Sequence, residues 1–114
     1  MSYRVHITKS ARSQIVENAR YIADASQSLE VAQRWLESVF DAADTLAEFP
    51  RRCALADEND VREYEIRRLL IGNYLLLFTV VEEDQMVVVL GLRHGSRLPR
   101  ADELPGVNLS GEDS

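Results

Sequence analysis

Two apolar segments in the second half of the chain limit most strongly what it can fold into. Residues 74–81 read YLLLFTVV and residues 86–92 read MVVVLGL, and only the four polar residues 82–85 separate them. Short apolar runs bounded by turn residues are typical of buried strands. A connection this short joins antiparallel neighbours, because parallel strands need a much longer crossover. The sequence therefore predicts two adjacent antiparallel strands, the first of them central in a sheet.

A third strand is predicted just before this pair. Residues 64–71 alternate imperfectly between apolar and polar side chains and end at Gly72-Asn73, a favourable two-residue hairpin turn. Residues 3–7 also alternate, which predicts a short strand near the start of the chain. We therefore expect an antiparallel meander over residues 63–93 and one further strand.

Two amphipathic helices are predicted between the first strand and the meander. Thr8 or Ser10 is a suitable N-cap for the first helix, and Ser28 for the second. Pro50 prevents the second helix from continuing. The short link between the helices predicts an antiparallel hairpin. Four aromatic residues are predicted to be core residues rather than platforms for stacked bases: Trp35, Phe40, Phe49 and Phe78.

The element order is thus β-α-α-β-β-β, an α+β fold with an αα-hairpin on a mainly antiparallel sheet. We expect one domain over residues 1–98, followed by an acidic, flexible tail over 99–114. The sheet face away from the helices is expected to be concave or open to a partner.

Composition excludes several classes of function. The 114 residues include 13 basic and 19 acidic side chains, a net charge of −6, so sequence-independent binding to nucleic acid is not favoured. Cys53 is the single cysteine, which excludes an intramolecular disulfide and a thiolate metal cluster. No apolar run is long enough to span a membrane, and the first ten residues lack a signal-peptide pattern. We therefore expect a cytoplasmic protein without a metal or cofactor.

Short motifs follow one another in a fixed order from Tyr3 to Arg97. They are Thr8-x-x-Ala11, Tyr21-Ile22, Ala32, Leu46-x-x-Phe49-Pro50, Ile66-Arg67, Gly72-Asn73-Tyr74 and Arg93-His94-Gly95-Ser96-Arg97. In order and spacing the chain resembles the RelE/ParE superfamily of toxins from type II toxin–antitoxin (plasmid stabilisation) modules, and within it the ParE-like branch.

The resemblance implies a toxin that a co-expressed antitoxin holds inactive and that arrests growth when freed. ParE-like members poison DNA gyrase, whereas RelE-like members cut mRNA in the ribosome. The first hypothesis is therefore a ParE-like toxin that binds a protein target. The alternatives are a ribosome-dependent, metal-independent endoribonuclease and an attenuated homologue that only binds its antitoxin.

If the chain is an RNase, the candidates for catalysis are Arg67, at the position where the resemblance implies a phosphate-binding arginine, and His94, as one of two proton carriers. A guanidinium can donate two parallel hydrogen bonds to a phosphate, and histidine exchanges protons readily near neutral pH. Each residue also has a purely structural alternative. Arg67 would pair with Glu65 or Glu82, and His94 would be hydrogen-bonded locally at the end of its strand.

Other arginines are candidates for binding a phosphate or a protein partner. These residues are Arg62, Arg68, Arg93 and Arg97. Arg51 and Arg52, with Arg62, form a second basic cluster, which is a candidate contact for a protein or DNA partner. We expect Arg51 and Arg52 instead to neutralise the carbonyl end of the second helix.

Overall fold

The computed structural model describes residues 2–57, 59 and 64–96. Its helices and strands are β1 (Arg4–Ile7), α1 (Lys9–Ser26), α2 (Leu29–Asp44), β2 (Arg67–Ile71), β3 (Tyr74–Val81) and β4 (Met86–His94). The predicted α+β order is confirmed. The predicted acidic tail lies outside the described residues.

The four strands form one sheet in the order β1-β4-β3-β2. β2, β3 and β4 are the predicted antiparallel meander, and β1 joins it by pairing parallel with β4. Ile71 pairs with Tyr74 across the predicted turn. Gly72 has a φ of 58°, a left-handed conformation that glycine adopts without a Cβ clash. β1 and β2 are therefore the two edges of the sheet.

A β-bulge in β4 determines which side chains reach which face of the sheet. Leu77 pairs with Gly91 and Phe78 with Val89, so Leu90 has no residue opposite it. One extra residue shifts the alternation of all later side chains to the other face. Beyond the bulge His94 faces the helices, in register with Tyr74, and the preceding arginine faces away.

Both helices begin at side-chain caps, as the sequence predicts. Thr8 Oγ1 accepts a hydrogen bond from the Ala11 N–H at 3.1 Å, and Ser28 Oγ accepts one from the Val31 N–H at 3.2 Å. Thr8, and not the alternative Ser10, is thus the cap of α1. The hydroxyl of Thr8 also donates to the Val89 carbonyl at 3.0 Å, which ties the start of α1 to β4.

The core has two layers, one on each face of the sheet. The layer under the helices includes fully buried side chains from both helices, the turn after α2 and the central strands: Ile15, Val39, Leu46, Leu76, Phe78, Val87 and Val89. Trp35 and Phe40 are half-buried and pack against this layer, which confirms them as core residues.

The second layer corrects the expectation of an open outer face. Leu75, Leu77 and Val88 point to that face and are almost fully buried. Ala56 and Ile66, from the connection before β2, belong to the same buried cluster. The connection itself therefore contributes apolar cover where we expected a concave surface.

Two local predictions are wrong. The strand predicted to begin at residue 64 begins at Arg67, because the backbone N–H of Ile66 bonds to the Asn59 side chain instead of joining the ladder. Phe49, predicted as a core residue, is 77% exposed. It has a φ of 49°, a left-handed conformation that turns the chain just before Pro50.

Removing the hydroxyl of Thr8 should cost about 1–2 kcal/mol of unfolding free energy. Thr8→Val keeps the shape but leaves the Ala11 N–H without its acceptor, and the loss of an N-cap costs about 1 kcal/mol. The Val89 carbonyl loses one of its two donors and keeps the backbone N–H of residue 8. Urea unfolding at an unchanged m-value measures the loss. The control is Ser10→Ala, which should change stability by less than about 0.5 kcal/mol. Equal effects of the two substitutions would contradict the assignment of the cap.

Candidate functional site

A polar cavity of about 560 Å³ lies between α1 and the end of β4. One face of α1 supplies side chains at positions i, i+3, i+4 and i+7, and the helix-facing ends of β3 and β4 supply the opposite wall. The main lining residues are Gln14, Glu17, Asn18, Tyr21, Tyr74 and His94. The β4 bulge is what brings His94 into this cavity.

His94 is held in a fixed orientation at the end of β4. Its Nδ1 atom accepts a hydrogen bond from the Ser96 backbone N–H at 3.1 Å, and the Ser96 hydroxyl lies 2.7 Å away. An acceptor Nδ1 places the proton of the neutral ring on Nε2. The ring meets Tyr74 edge-on, with centroids 5.0 Å apart, and Tyr74 in turn meets Trp35 at 5.3 Å. His94 is therefore hydrogen-bonded locally at the end of its strand, as the non-catalytic alternative predicted.

Two amides on α1 attach the helix to the strand ends. Gln14 Oε1 accepts a hydrogen bond from the backbone N–H of Leu92 at 2.8 Å. Leu92 lies beyond Val89, the last residue of β4 that pairs with β1. Asn18 Oδ1 accepts from the Tyr74 hydroxyl at 3.3 Å. Sequence reasoning missed both residues. The sequence signal that could have identified them is their i, i+4 spacing on α1 next to buried Ile15, which places both amides at the edge of the buried helix face.

The guanidinium of Arg67 is engaged in hydrogen bonds within its own chain. Its Nε donates to Glu65 at 3.0 Å, and its Nη1 donates to the backbone carbonyls of Arg51 and Cys53. Its side chain is only 16% exposed. The guanidinium thus fastens the turn after α2 to the first residue of β2, in line with the predicted alternative of pairing with Glu65.

The structure does not bring Arg67 and His94 together. Arg67 is in register with Phe78 and His94 with Tyr74, four residues away along β3. With about 3.3 Å per residue and about 4.8 Å between strands, their backbones lie roughly 16 Å apart. They do not share a pocket among the described residues.

The remaining predicted arginines are dispersed. Arg93 is buried on the sheet face away from the helices, with Asp57 at 4.0 Å. Arg68 is exposed on the same face, at the β2 edge. Arg62 and Arg97 lie outside the described residues.

Of Arg51 and Arg52, only Arg52 has the role predicted for the pair. Arg52 donates to the carbonyls of Thr45, Glu48 and Phe49, which confirms that it neutralises the end of the second helix and the turn that follows. Arg51 instead forms ion pairs with Glu65 at 2.9 Å and Glu82 at 2.7 Å.

Glu82 is the centre of a second polar network, at the turn between β3 and β4. Arg51 donates to it, and so does the Tyr3 hydroxyl at 2.9 Å. These hydrogen bonds lower the pKa of Glu82, the Arg51 bond most, and the Glu82 bond raises the pKa of Tyr3. The network ties β1 to the turn after α2.

Acid should remove the stability that Glu82 contributes. Because its pKa is lowered on folding, its contribution is complete above the ordinary value of 4.5 and is lost as the pH falls through the folded-state pKa. The difference in melting temperature between the protein and Glu82→Gln should therefore shrink below about pH 4. Glu83→Gln, at the neighbouring exposed residue, is the control and should show no such trend. A difference that stays constant from pH 7 to pH 3 would contradict the role of the network.

Other chemical features have simpler explanations. Burial raises the pKa of the Cys53 thiol, so the thiolate that a nucleophile needs is disfavoured. The described part of the chain holds no group of three or more His, Cys, Asp or Glu side chains that could bind a metal. Across the same residues, no helix combines the length and apolar character needed to cross a membrane.

Comparison with known families decides the assignment. The model of the ParE toxin of the type II toxin–antitoxin system parDE matches residues 5–99. The chain belongs to this family. The match includes all the helices and strands except the first residue of β1. The predicted RelE/ParE kinship is thereby confirmed.

Solved structures agree on the fold. A chain of the toxin–antitoxin complex RelBE2 from Mycobacterium tuberculosis superimposes with a TM-score of 0.58 at 24% identity, covering 82% of this chain and 99% of that one. A chain of the archaeal RelE–RelB complex from Pyrococcus horikoshii superimposes with a TM-score of 0.55 at 19% identity, covering 86% and 100%. No curated protein matches the sequence.

Proposed function

We propose that this ParE-family toxin acts by binding a protein target, such as DNA gyrase, and that a cognate antitoxin neutralises it. Free toxin would arrest growth, and the module would act in plasmid stabilisation. The observation that carries the proposal is the engagement of Arg67, since a guanidinium that holds two carbonyls and a carboxylate of its own chain is not available to a phosphate.

The other cationic residues support the same conclusion. Arg93 lies on the opposite face from His94, beside an aspartate. The net charge of −6 gives no general attraction to ribosomal RNA. A toxin that acts through a surface needs no cluster of acid, base and phosphate-binding groups.

Exposed apolar side chains at the tip of the helical hairpin favour a protein-binding surface there. Leu29 is 82% exposed and Val31 is 42% exposed, both in the first turn of α2. Exposed apolar surface is a feature of interaction sites.

The test is a supercoiling assay with purified gyrase. We expect the protein to inhibit supercoiling and the product of an adjacent antitoxin gene to reverse the inhibition. Normal supercoiling at a large molar excess of folded toxin would overturn the gyrase proposal.

A surface variant tests the hairpin tip directly. Leu29→Glu should weaken inhibition about tenfold or more, because it places a charge in the apolar patch. Its stability should be unchanged, since the residue is exposed and an acidic side chain suits the first turn of a helix. Ser38→Glu, at an exposed site nine residues further along the same helix and on its opposite side, adds the same charge away from Leu29 and should inhibit normally. Equal activity of the two variants would exclude the tip as the contact surface.

Antitoxin binding has structural support of its own. β2 is an edge strand. Its outer side is bonded to residues 54–56 at its start, whereas at its end Leu70 is 69% exposed, and extended peptides add to such edges. The two structural relatives from M. tuberculosis and P. horikoshii were solved as toxin–antitoxin complexes. We therefore expect the adjacent gene product to co-purify with the toxin. An isolated, monodisperse toxin that ignores this product would argue against the proposal.

The endoribonuclease remains the second candidate, because His94 lines a cavity next to the Tyr74 phenol. This pair could exchange protons with a substrate, although no arginine joins it among the described residues. An attenuated homologue that only binds its antitoxin is the third possibility. Intact mRNA together with normal supercoiling and tight antitoxin binding would support it.

A further inference from the structure

The cavity between α1 and the end of β4 has an uncompensated negative charge at its rim. Among the described residues that line it, Glu17 is the only carboxylate, and none is a lysine or an arginine. Glu17 is exposed and forms no hydrogen bond or ion pair with another described residue. A carboxylate without a partner at the mouth of a cavity attracts a cationic ligand and repels an anionic one.

Aromatic rings stand next to this carboxylate. Tyr21 follows Glu17 by four residues on α1, so the ring and the carboxylate are neighbours on one face of the helix. Tyr21 is 66% exposed and makes no hydrogen bond or ring contact with another described residue. Tyr74 and His94 line the opposite wall, with their ring planes at 83° to each other. The faces of phenol rings attract cations, so charge and rings favour the same class of ligand.

A planar cation suits this arrangement better than a spherical one. A guanidinium can donate two parallel hydrogen bonds to a carboxylate and can also lie flat against an aromatic ring, whereas an ammonium can do neither. The hydroxyls of Tyr21 and Ser96, which also line the cavity, can accept its remaining hydrogen bonds. The volume of about 560 Å³ is enough for this group and the aliphatic stem that carries it.

We propose that this cavity binds the guanidinium group of an arginine side chain. The guanidinium would pair with the Glu17 carboxylate and stack on Tyr21, and its stem would lie against the wall formed by Tyr74 and His94. The proposal does not depend on which molecule the toxin attacks. A phosphate group is disfavoured in the same cavity, because Glu17 repels it.

Three probes of nearly one shape test the selectivity. N-acetylarginine methylamide carries the guanidinium, the citrulline derivative replaces it with a neutral urea, and the lysine derivative replaces it with an ammonium. NMR titration of the full chain at pH 8, where imidazole side chains are neutral, follows the rings of Tyr21 and His94. The arginine probe should bind about tenfold more tightly than the citrulline probe and about threefold more tightly than the lysine probe. Equal affinities for arginine and citrulline, tighter binding of lysine, or no shift at either ring would overturn the proposal.

Removing the carboxylate should abolish most of this selectivity. Glu17→Gln should weaken binding of the arginine probe about fivefold and leave the citrulline probe unchanged. The fold should be unaffected, because the residue is exposed. Glu37→Gln removes the same charge from an exposed position on α2 and should keep the arginine affinity within about twofold. Equal effects of the two substitutions on the arginine probe would mean that the overall charge of the protein, and not this cavity, selects the cation.

The natural source of the guanidinium is read from a further variant of the full chain. Arg97 and Arg100 lie outside the described residues but follow Ser96, which lines the cavity. If one of them is the ligand, it competes with the probe, and the double variant Arg97→Gln/Arg100→Gln should bind the arginine probe about fivefold or more tightly than the unaltered protein does. An affinity that stays within about twofold would support the proposal with an arginine of another protein as the ligand. Weaker binding would contradict the preference for a cation.

Discussion

Arg67→Ala should lower the free energy of unfolding by about 2 kcal/mol, because it removes hydrogen bonds from a charged donor, which contribute about 1.5–3 kcal/mol, to the part-buried Cys53 carbonyl and the more exposed Arg51 carbonyl. The lost contacts are those to the Arg51 and Cys53 carbonyls and to Glu65. Chemical denaturation with circular dichroism measures the change. Any loss of toxicity in cells should follow the loss of folded protein.

The neighbouring residue provides the matched control for this prediction. Arg68 is exposed and points to the opposite face of β2, so Arg68→Ala should change stability by less than about 0.5 kcal/mol. Arg67→Lys should be intermediate, since an ammonium cannot reproduce the fork of donors. An Arg67→Ala variant that is as stable as the unaltered protein but inactive would contradict the structural role and favour phosphate binding.

Phe78→Ala should destabilise the protein at least as much as Arg67→Ala, with a loss of about 3–5 kcal/mol of unfolding free energy. Phe78 is fully buried at the middle of β3, where the sheet packs against the helices, so its removal leaves a cavity that neighbouring strands cannot close. Because small domains are stable by only about 5–15 kcal/mol, the variant should be partly unfolded at physiological temperature.

Calorimetry or urea titration measures this loss, and Leu70→Ala is the control. Leu70 lies on the adjacent strand but is 69% exposed, so its truncation should change stability by less than about 0.5 kcal/mol. Comparable losses for the two variants would mean that β3 is not the centre of the core.

The sequence was sufficient to predict the features that depend on interactions between residues close together in the chain. The helix caps at Thr8 and Ser28, the turn at Gly72 and the apolar strands β3 and β4 each depend on residues within a few positions of one another. The α+β order follows from these elements. The helix-facing apolar stripe correctly predicted Trp35 and Phe40 as core residues.

The features that sequence reasoning missed depend on contacts between distant segments. The bulge at Leu90 is a register shift between strands, and a simple alternation starting at Met86 would place Arg93, rather than His94, under the helices. The environment of Arg67 is set by carbonyls that lie 14 and 16 residues earlier in the chain. Phe49 matched an apolar pattern, but the left-handed turn before Pro50 carries it out of the core.

The candidate site was only partly predictable for the same reason. His94 could be named from the motif that contains it, whereas its neighbours come from another element. Gln14 and Asn18 are ordinary polar residues of an amphipathic helix until the end of β4 is packed against them. Only the three-dimensional structure reveals that one of these amides has a buried nitrogen without a partner among the described residues.

The central claim is that this ParE-family toxin acts by binding a protein and not by cleaving RNA with Arg67 and His94. The most direct measurement is the integrity of a labelled mRNA in a translating extract after addition of the purified toxin. We expect the mRNA to remain full-length, with and without ribosomes. Fragments that form only when ribosomes are present, and that disappear with a folded His94→Ala variant, would contradict the account.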